Sequence, residues 1–338
     1  MPSKNWSKTA LAAAAIATTL GGAARAEVSE VRISKGFGIL YLPLIVMQDR
    51  QFLEKRAKEA GLGDIKVTWL MLDGGNVIND AMIAGTLDFA GTGAPGFVTL
   101  WAKAKGIPNV EVVGVSGMSS TSLWLMSNRP ELKSLKDFTV SDKIALPGIK
   151  TSLAAVVLQM IAAKEFGEAN YARMDTMTVS LPHPEALIAL VGGKTEVKAH
   201  FTSPPFQYLE AKSPGIHRVL NSVDYLGNLT LDVTFAPKKF VDANPKMTQA
   251  FIDAMDDANE LIAKDKKLAA EIYAKSSKVK VDPAEVLEMI EDKDARFSTT
   301  PTGMLQFAEF LHRVGSIKVK PSKWSDMFVP QLAARPGS

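Results

Sequence analysis

Two stretches about a hundred residues apart carry the same order of residue types. The first runs from Asp80 to Pro95 and the second from Glu185 to Pro205. Each begins with an acid and an apolar helix end, stops at glycine, continues as a short strand and ends in a loop of small residues before proline. Such loops expose backbone N–H groups and hydroxyls at the carboxyl end of a sheet, where open α/β folds bind ligands. We therefore predict that the two loops face one ligand from two lobes.

The first loop also matches a dinucleotide-binding pattern. Gly91 to Gly96 reads G-x-G-x-x-G, follows a predicted strand and precedes a predicted helix. However, the pattern lies on the third strand of the chain rather than the first. The acid twenty residues later, Glu111, falls near the start of its strand, whereas a ribose-binding acid belongs at a strand end. A small-molecule site built from the same amides is favoured, and nucleotide binding is the weaker alternative.

Motifs for hydrolysis are incomplete. Gly193-Lys-Thr195 lacks the first glycine of a P-loop, and Gly114 to Met118 lacks the last glycine of a nucleophile elbow. None of the histidines has the H-x-x-x-H spacing of a metal site; they are His183, His200, His217 and His312. His200 is kept as a binding candidate because it lies in the second loop. Catalysis has no positive support in these motifs.

Several residue types favour binding instead. The loops at 73–76 and 147–152 each place small residues at the start of a predicted helix, where free N–H groups and the helix dipole attract a carboxylate or sulfonate. Lys150 would add a full positive charge, and Asp73 would cap its helix or contact a ligand amine. Phe37 and Tyr41 offer aromatic faces for a flat ligand. The pattern predicts a small anionic or aromatic solute.

The first 26 residues have the composition of a cleavable signal peptide. Lys4 and Lys8 form a basic region, Thr9 to Leu20 is mostly apolar, and Ala24-Arg-Ala26 supplies the small residues of a cleavage site. The apolar run is too short for the ~20 residues of a membrane span. We expect the mature chain to begin at Glu27.

Charge and cysteine content narrow the partners. The 39 basic residues include three in the signal segment, so the mature chain carries 36 basic and 36 acidic residues and has no charge signature for nucleic acid. The chain has no cysteine, which excludes disulfides, thiol nucleophiles and a lipid-bearing cysteine. The expectation is a monomer, free in the periplasm, without cofactor, metal or lipid anchor.

Alternating strands and helices predict an α/β fold with mainly parallel sheets. In the first half, strands are predicted at 28–34, 66–72, 87–90 and 110–115. Helices are predicted at 44–60, after residue 76 as far as residue 84, and after residue 95 as far as residue 104. In the middle, strands are predicted at 143–146, 177–179 and 197–201, with a helix at 153–166. Helices dominate the last part, at 246–264, 268–276, 283–291 and 302–314.

Two extended runs break this rhythm, at 119–127 and 229–236. They bracket the middle units, so we predict a discontinuous lobe I, residues 27–120 and 233–338, and a continuous lobe II, residues 121–232. Two connecting strands form a hinge about which the lobes close on a ligand.

In the order of these features the chain resembles the periplasmic substrate-binding proteins of ABC importers in the nitrate/sulfonate/taurine class, SsuA-like proteins related to binders of thiamine-pyrimidine precursors. The resemblance rests on the loop 36–43 leading to Gln51-Phe-Leu-Glu54, the block Asp80 to Phe89, Lys133 to Phe138, and Asn244 to Phe251. It spans nearly the whole mature chain.

The resemblance implies a class-II periplasmic-binding-protein fold, capture of a solute between the lobes, and delivery to a membrane permease with a cytoplasmic ATPase. It also implies a cleft at 37–41, 73–76, 91–93, 116–121, 149–152 and 200–203. The ligand-binding residues expected there are Phe37, Leu40, Tyr41, Gly75, Asn76, Thr92, Gly93, Ser119, Ser120, Lys150, Thr151, His200 and Thr202. No cleft arginine is evident to clamp a sulfonate, so an aromatic or heterocyclic solute fits as well. The alternative is an exported α/β enzyme of the same fold that processes a pyrimidine.

Overall fold

The computed structural model describes Met1, residues 27–72 and residues 74–338. The predicted signal peptide and Asp73 lie outside the described residues. The chain forms two β-sheets, each covered by helices, and these are the two predicted lobes. The α/β class and the class-II periplasmic-binding arrangement are confirmed; the residue at which each lobe begins stays a prediction.

The sheet of lobe I has four strands that run in one direction and two that run in the opposite direction. Its spatial order is β2 (Lys66–Met71), β1 (Glu30–Lys35), β3 (Phe89–Gly93), β10 (Asp232–Pro237), β4 (Val112–Ser120) and β11 (Arg296–Phe297). Strands β1 to β4 share one direction, because β1 pairs in parallel with β2 and β3, and β3 and β4 both pair antiparallel with β10. The short β11 closes the far edge.

The sheet of lobe II also consists mostly of parallel strands. Its order is β7 (Thr178–Ser180), β6 (Lys143–Leu146), β8 (Val197–Thr202), β5 (Trp124–Ser127) and β9 (His217–Asn221). Only β5 runs against the others. The chain thus enters each sheet from the other lobe as a reversed strand, β5 on the way out and β10 on the way back. The prediction of two crossover strands is confirmed.

Helices cover both sheets. In lobe I they are α1 (Leu42–Arg50), α2 (Phe52–Glu59), α3 (Gly75–Ile83), α4 (Ala94–Ala104), α9 (Lys238–Ala243), α10 (Pro245–Lys264), α11 (Lys266–Ser276), α12 (Pro283–Glu291) and α13 (Met304–Arg313). In lobe II they are α5 (Leu153–Phe166), α6 (His183–Gly192), α7 (Phe206–Ala211) and α8 (Ser222–Leu226). Within the described ranges, no helix has both the length and the apolar character needed to cross a membrane.

Three local expectations were wrong. The helix predicted at 44–60 is two helices, because Gln51 takes a left-handed conformation (φ 53°) that turns α2 onto α10. There Arg56 pairs with Asp257 through two hydrogen bonds of 2.6 and 2.5 Å. The fourth strand extends to Ser120, well past residue 115. The run at 119–127 is interrupted at residues 121–123, between β4 and β5. Strand β9 has too few apolar residues to be read from the sequence.

The sequence does not reveal the full length of β4, because its second half consists mostly of small residues. A side chain at Gly114 would collide with the ring of Phe328, and one at Gly117 would lie 2.9 Å from the carbonyl oxygen of Ser298. Glycine is needed at both positions because the C-terminal segment packs directly on the strand. The strand therefore lacks the alternation of apolar residues that normally marks a strand.

The core of lobe I is joined by an aromatic stack. Phe89 on β3 and Phe251 on α10 are buried, and their rings lie 4.0 Å apart with planes 13° from parallel. The edge of Phe240 meets Phe89 at 5.2 Å. The stack fixes α10, the longest of the described helices, to the strand that leads into the loop at 91–95.

We expect Phe251→Ala to lower the free energy of unfolding by about 3 to 5 kcal/mol, because it leaves a cavity beside Phe89. Urea unfolding followed by circular dichroism would measure the change. The control Val140→Ala removes apolar atoms at a position that is 68% exposed and should change stability by less than about 0.5 kcal/mol. Equal losses in the two variants would contradict the role of the stack.

Candidate functional site

A cleft lies where the carboxyl ends of the two sheets face each other. Its enclosed cavity measures about 50 Å³, which is room for a few water molecules. Lobe I contributes Phe37, Leu40, Tyr41, Gly74, Gly75, Ile78, Thr92, Gly93 and Asp232. Lobe II contributes Pro147, Ser152, Leu153, Ala154, His183, Thr202 and Ser203, and Leu123 lies on the first crossing between the lobes.

Four helices begin at the cleft. The first turns of α3 and α4 reach it from lobe I, and those of α5 and α6 reach it from lobe II. Ser152 caps α5 by accepting a hydrogen bond from the Ala155 N–H (3.2 Å). The free N–H groups and dipoles of these helix ends give the cleft a positive potential without a cationic side chain. Such a surface favours an anionic or hydrogen-bond-accepting group.

One acidic side chain opposes this potential. Asp232, the first residue of β10, lines the cleft and is only 2% exposed. Among the described residues that line the cleft, it is the only carboxylate, and none is lysine or arginine. A solute with an acceptor group at the helix ends and an N–H group toward Asp232 would satisfy both.

The lobes touch around the cleft, so the structure is a closed form. The Ile39 N–H donates to the carbonyl of Pro204 across the lobes at 3.0 Å. At the rim, the Thr151 hydroxyl donates to Oδ1 of Asn76 at 3.0 Å. Away from the cleft, further polar contacts join the lobes, among them Tyr208–Asp292 at 2.9 Å, Lys212–Glu285 at 2.7 Å and Arg313–Glu168 at 2.9 Å.

Glycine permits this close approach. A Cβ on Gly93 would lie 2.7 Å from Cβ of Leu153 in the other lobe, far inside normal contact. A Cβ on Gly38 would lie 3.0 Å from the Pro204 carbonyl oxygen, and φ of 99° at Gly38 is itself a glycine conformation. The lobes therefore meet backbone to backbone.

Behind the cleft wall lies a buried chain of three polar side chains. Nδ1 of His183 is 2.7 Å from Nε2 of His200, and Nδ1 of His200 is 2.6 Å from Oε1 of Glu210. Burial lowers the pKa of His200 to about 3 and that of His183 well below its ordinary value, where the neighbouring His200 contributes further. Burial raises the pKa of Glu210 well above its ordinary value. Of the three, only His183 reaches the cleft.

This chain does not have the geometry of a catalytic triad. The hydroxyl oxygen of Thr202 is 3.2 Å from Nδ1 of His183, the same nitrogen that meets His200. In a triad, the nucleophile and the orienting group use opposite ring nitrogens, so that a proton taken from one side is stabilised from the other. Desolvation also makes His183 a weak base.

The structure brings seven of the thirteen predicted binding residues into the cleft lining: Phe37, Leu40, Tyr41, Gly75, Thr92, Gly93 and Thr202. Asn76 and Thr151 meet at its rim. The other four lie elsewhere: Lys150 is on the exposed loop before α5, Ser119 and Ser120 line a separate surface pocket beside Arg296, and His200 is fully buried behind His183. Ser119 acts indirectly, because its hydroxyl donates to the Leu40 carbonyl at 2.7 Å.

Sequence reasoning missed His183 and Asp232. Comparison of the two similar stretches, 80–95 and 185–205, could have found His183. When Glu185 is aligned with Asp80, His183 aligns with Ile78, and both line the cleft. Asp232 had no such signal, because it lies inside an extended run that marked only a crossing.

The sequence matches the family model described as NMT1/THI5 like over residues 52–269, more than half of the chain. The chain belongs to the NMT1/THI5-like family. The resemblance to SsuA-like binding proteins is confirmed. No curated protein matches the sequence significantly.

Solved structures agree with this family assignment. The alkanesulfonate-binding protein SsuA from Xanthomonas axonopodis pv. citri, bound to MOPS, is 18% identical with a TM-score of 0.66, covering 86% of this chain and 95% of that one. The aliphatic sulphonate binding protein SsuA from Escherichia coli is 17% identical (TM-score 0.64; 89% and 99% covered). The nitrate-binding protein NrtA from Synechocystis PCC 6803 is 15% identical (TM-score 0.65; 88% and 84% covered). These likenesses establish the periplasmic-binding-protein fold for this family member.

We expect Gly93→Ala to hold the lobes apart, because the new Cβ collides with Leu153 only in the closed form. The cysteine-free chain allows spin labels at I83C and I188C, exposed positions on α3 and α6, and pulsed electron resonance should show longer distances. The control Gly148→Ala places its Cβ 3.7 Å from Ser152, an ordinary contact, and should leave the distances unchanged. Unchanged distances in Gly93→Ala would contradict the steric role of this glycine.

Proposed function

We propose that the protein is a non-catalytic solute-binding receptor of an ABC importer. It captures a small solute between its lobes in the periplasm and delivers it to a membrane permease with a cytoplasmic ATPase. The family assignment and the periplasmic proteins of similar fold support this role. The signal-peptide composition of residues 1–26 supports export, and the protein acts as a monomer.

The observation that carries the proposal is an unsatisfied hydroxyl inside a closable cleft. Thr92 lines the cleft and is fully buried, and its hydroxyl has no hydrogen-bond partner among the described residues. A buried polar group without a partner costs about 1 to 3 kcal/mol. A solute that bonds to Thr92 removes this cost, and closure by lobe II seals the contact from water.

The cleft supports a solute of the nitrate or sulfonate class, or an aromatic or heterocyclic one. The positive dipole ends of four helices face the cleft and favour an anionic or accepting group. Phe37 and Tyr41 supply aromatic faces. Asp232 would pair with an amine or a ring N–H on the same solute, as taurine or an aminopyrimidine would offer.

A thermal-shift screen would test this function. The mature protein is heated with nitrate, alkanesulfonates, taurine, aromatic carboxylates or pyrimidines, and a bound solute raises the melting temperature by mass action. The receptor function predicts a rise with at least one class and no turnover of that compound. Chemical conversion of a bound compound would instead support the exported enzyme.

We expect Thr92→Val to weaken binding of the solute found in this screen by roughly tenfold, or about 1.4 kcal/mol, while the free protein becomes no less stable. Valine keeps the shape of threonine and removes a hydroxyl that only the solute would satisfy. Calorimetric titration and thermal unfolding measure the two effects.

The matched control is Thr234→Val on β10, where the hydroxyl bonds to that of Ser116 at 2.8 Å. This variant leaves the Ser116 hydroxyl unpaired, so stability should fall while solute affinity stays the same. A loss of stability without a loss of affinity in Thr92→Val would argue against a solute contact at Thr92.

A further inference from the structure

Behind the cleft wall, three side chains are linked by hydrogen bonds in a row that ends at His183. Glu210 and His200 are 0% exposed, and the chain runs from Glu210 through His200 to His183. Both neighbours of the His183 ring use its Nδ1. No hydrogen bond to its other nitrogen, Nε2, is found in the described part of the chain, and His183 itself lines the cleft.

The direction of the chain depends on one proton. If the Glu210–His200 pair holds a proton between Oε1 of Glu210 and Nδ1 of His200, Nε2–H of His200 donates to Nδ1 of His183, whether that proton resides on Oε1 or on the imidazole. A proton on Oε2 would instead leave a buried O–H without an acceptor. His183 must then carry its own proton on Nε2, which becomes a donor to the cleft. If the pair loses that proton, Nδ1–H of His200 donates to the carboxylate. Nε2 of His200 then accepts from Nδ1–H of His183, and the cleft receives an acceptor.

The surroundings favour the protonated pair. The second carboxyl oxygen of Glu210, Oε2, is buried and has no hydrogen-bond partner among the described residues. An ionised carboxylate would leave charge on this oxygen without a donor, which is costly in a dry interior. Burial correspondingly raises the pKa of Glu210 and lowers that of both histidines.

We propose that Glu210 is a specificity-determining positioning residue: the proton it shares with His200 makes Nε2–H of His183 a hydrogen-bond donor, so the cleft selects an anionic or accepting group at that point. The proposal rests on the proposed receptor function, since it names what the cleft binds. It also couples binding to a proton. An anion bound at His183 is released more easily once the pair is deprotonated, because the donor becomes an acceptor and a buried negative charge appears behind it.

Other titratable groups near the chain have partners of their own or lie on the surface. Asp232 and Tyr41 line the cleft with His183. On α7 and just after it, Tyr208 is bonded to Asp292 and Lys212 is paired with Glu285. On the neighbouring strands, Arg218 stacks on Trp124, and His217, Lys143 and Lys198 are bonded to backbone carbonyls. Glu185 on α6 is exposed. Asp232 is an acidic group of the cleft itself, and a variant at Glu210 separates its influence from that of the buried pair.

The first test needs no solute. Nitrogen-15 NMR of the imidazole rings at pH 6 reports which nitrogen of His183 is protonated, with its signals assigned by their loss in His183→Asn. The proposal expects protonated Nε2 and unprotonated Nδ1. A protonated Nδ1 at pH 6 would overturn it.

The second test measures affinity against pH with ethanesulfonate, a probe that does not titrate between pH 6 and 9.5. Affinity of the wild type should fall as pH rises through the pKa of the pair, by at most tenfold per pH unit for one linked proton. Glu210→Gln should be flat over this range, whereas the surface control Glu185→Gln should follow the wild type. A flat wild-type profile, or a Glu210→Gln profile as steep as the wild type, would refute the linkage. If ethanesulfonate binds at no pH, an alkanesulfonate solute is excluded, and the tautomer of His183 alone decides the proposal.

Discussion

Strand β10 is the constraint on which the cleft depends. It returns from lobe II and enters the sheet of lobe I between β3 and β4, where it is hydrogen-bonded on both sides. Just before the strand, the carbonyl of Leu231 accepts a hydrogen bond from the Ala94 N–H at 2.7 Å. The N–H of Leu231 donates to the backbone carbonyl of Ser119 at 2.9 Å. The first contact fixes the start of α4, and the second fixes the residue that holds Leu40. The return crossing therefore positions several walls of the site and delivers Asp232 to it.

The electrostatics of the cleft come mostly from backbone groups. Helix ends supply positive potential, Asp232 supplies negative charge, and His183 is neutral because it is desolvated. None of these sources depends on a mobile cationic side chain, so the pattern is already in place before a solute arrives. Preorganised dipoles in a site that excludes water interact strongly with a ligand and need little rearrangement. The proposed anionic solute therefore does not require a lysine or arginine among the described residues of the lining.

Much of the fold could be predicted from the sequence, and less of the site. Periodic apolar runs located most helices and strands, and the two extended runs indicated the crossings because they interrupted the α/β alternation. The break at Gln51 escaped notice, since a left-handed residue inside an apolar periodic run leaves no mark. Loop residues at strand ends, such as Thr92 and Thr202, could be placed because the fold class determines where strand ends meet. His200 was misplaced by one layer: it shares a face of β8 with Thr202 but lies two residues before the end of the strand, where it contacts His183 instead of the cleft.

Closure through backbone atoms has a consequence for how such a receptor can change over evolutionary time. The hydrogen bond from Ile39 to Pro204 joins main-chain groups, so exchange of side chains around the solute leaves it in place. Side chains of the lining can then be substituted for a new compound while this contact between the lobes is kept. A larger residue at Gly38 or Gly93 would prevent the lobes from meeting, and at Gly93 it would also change the lining.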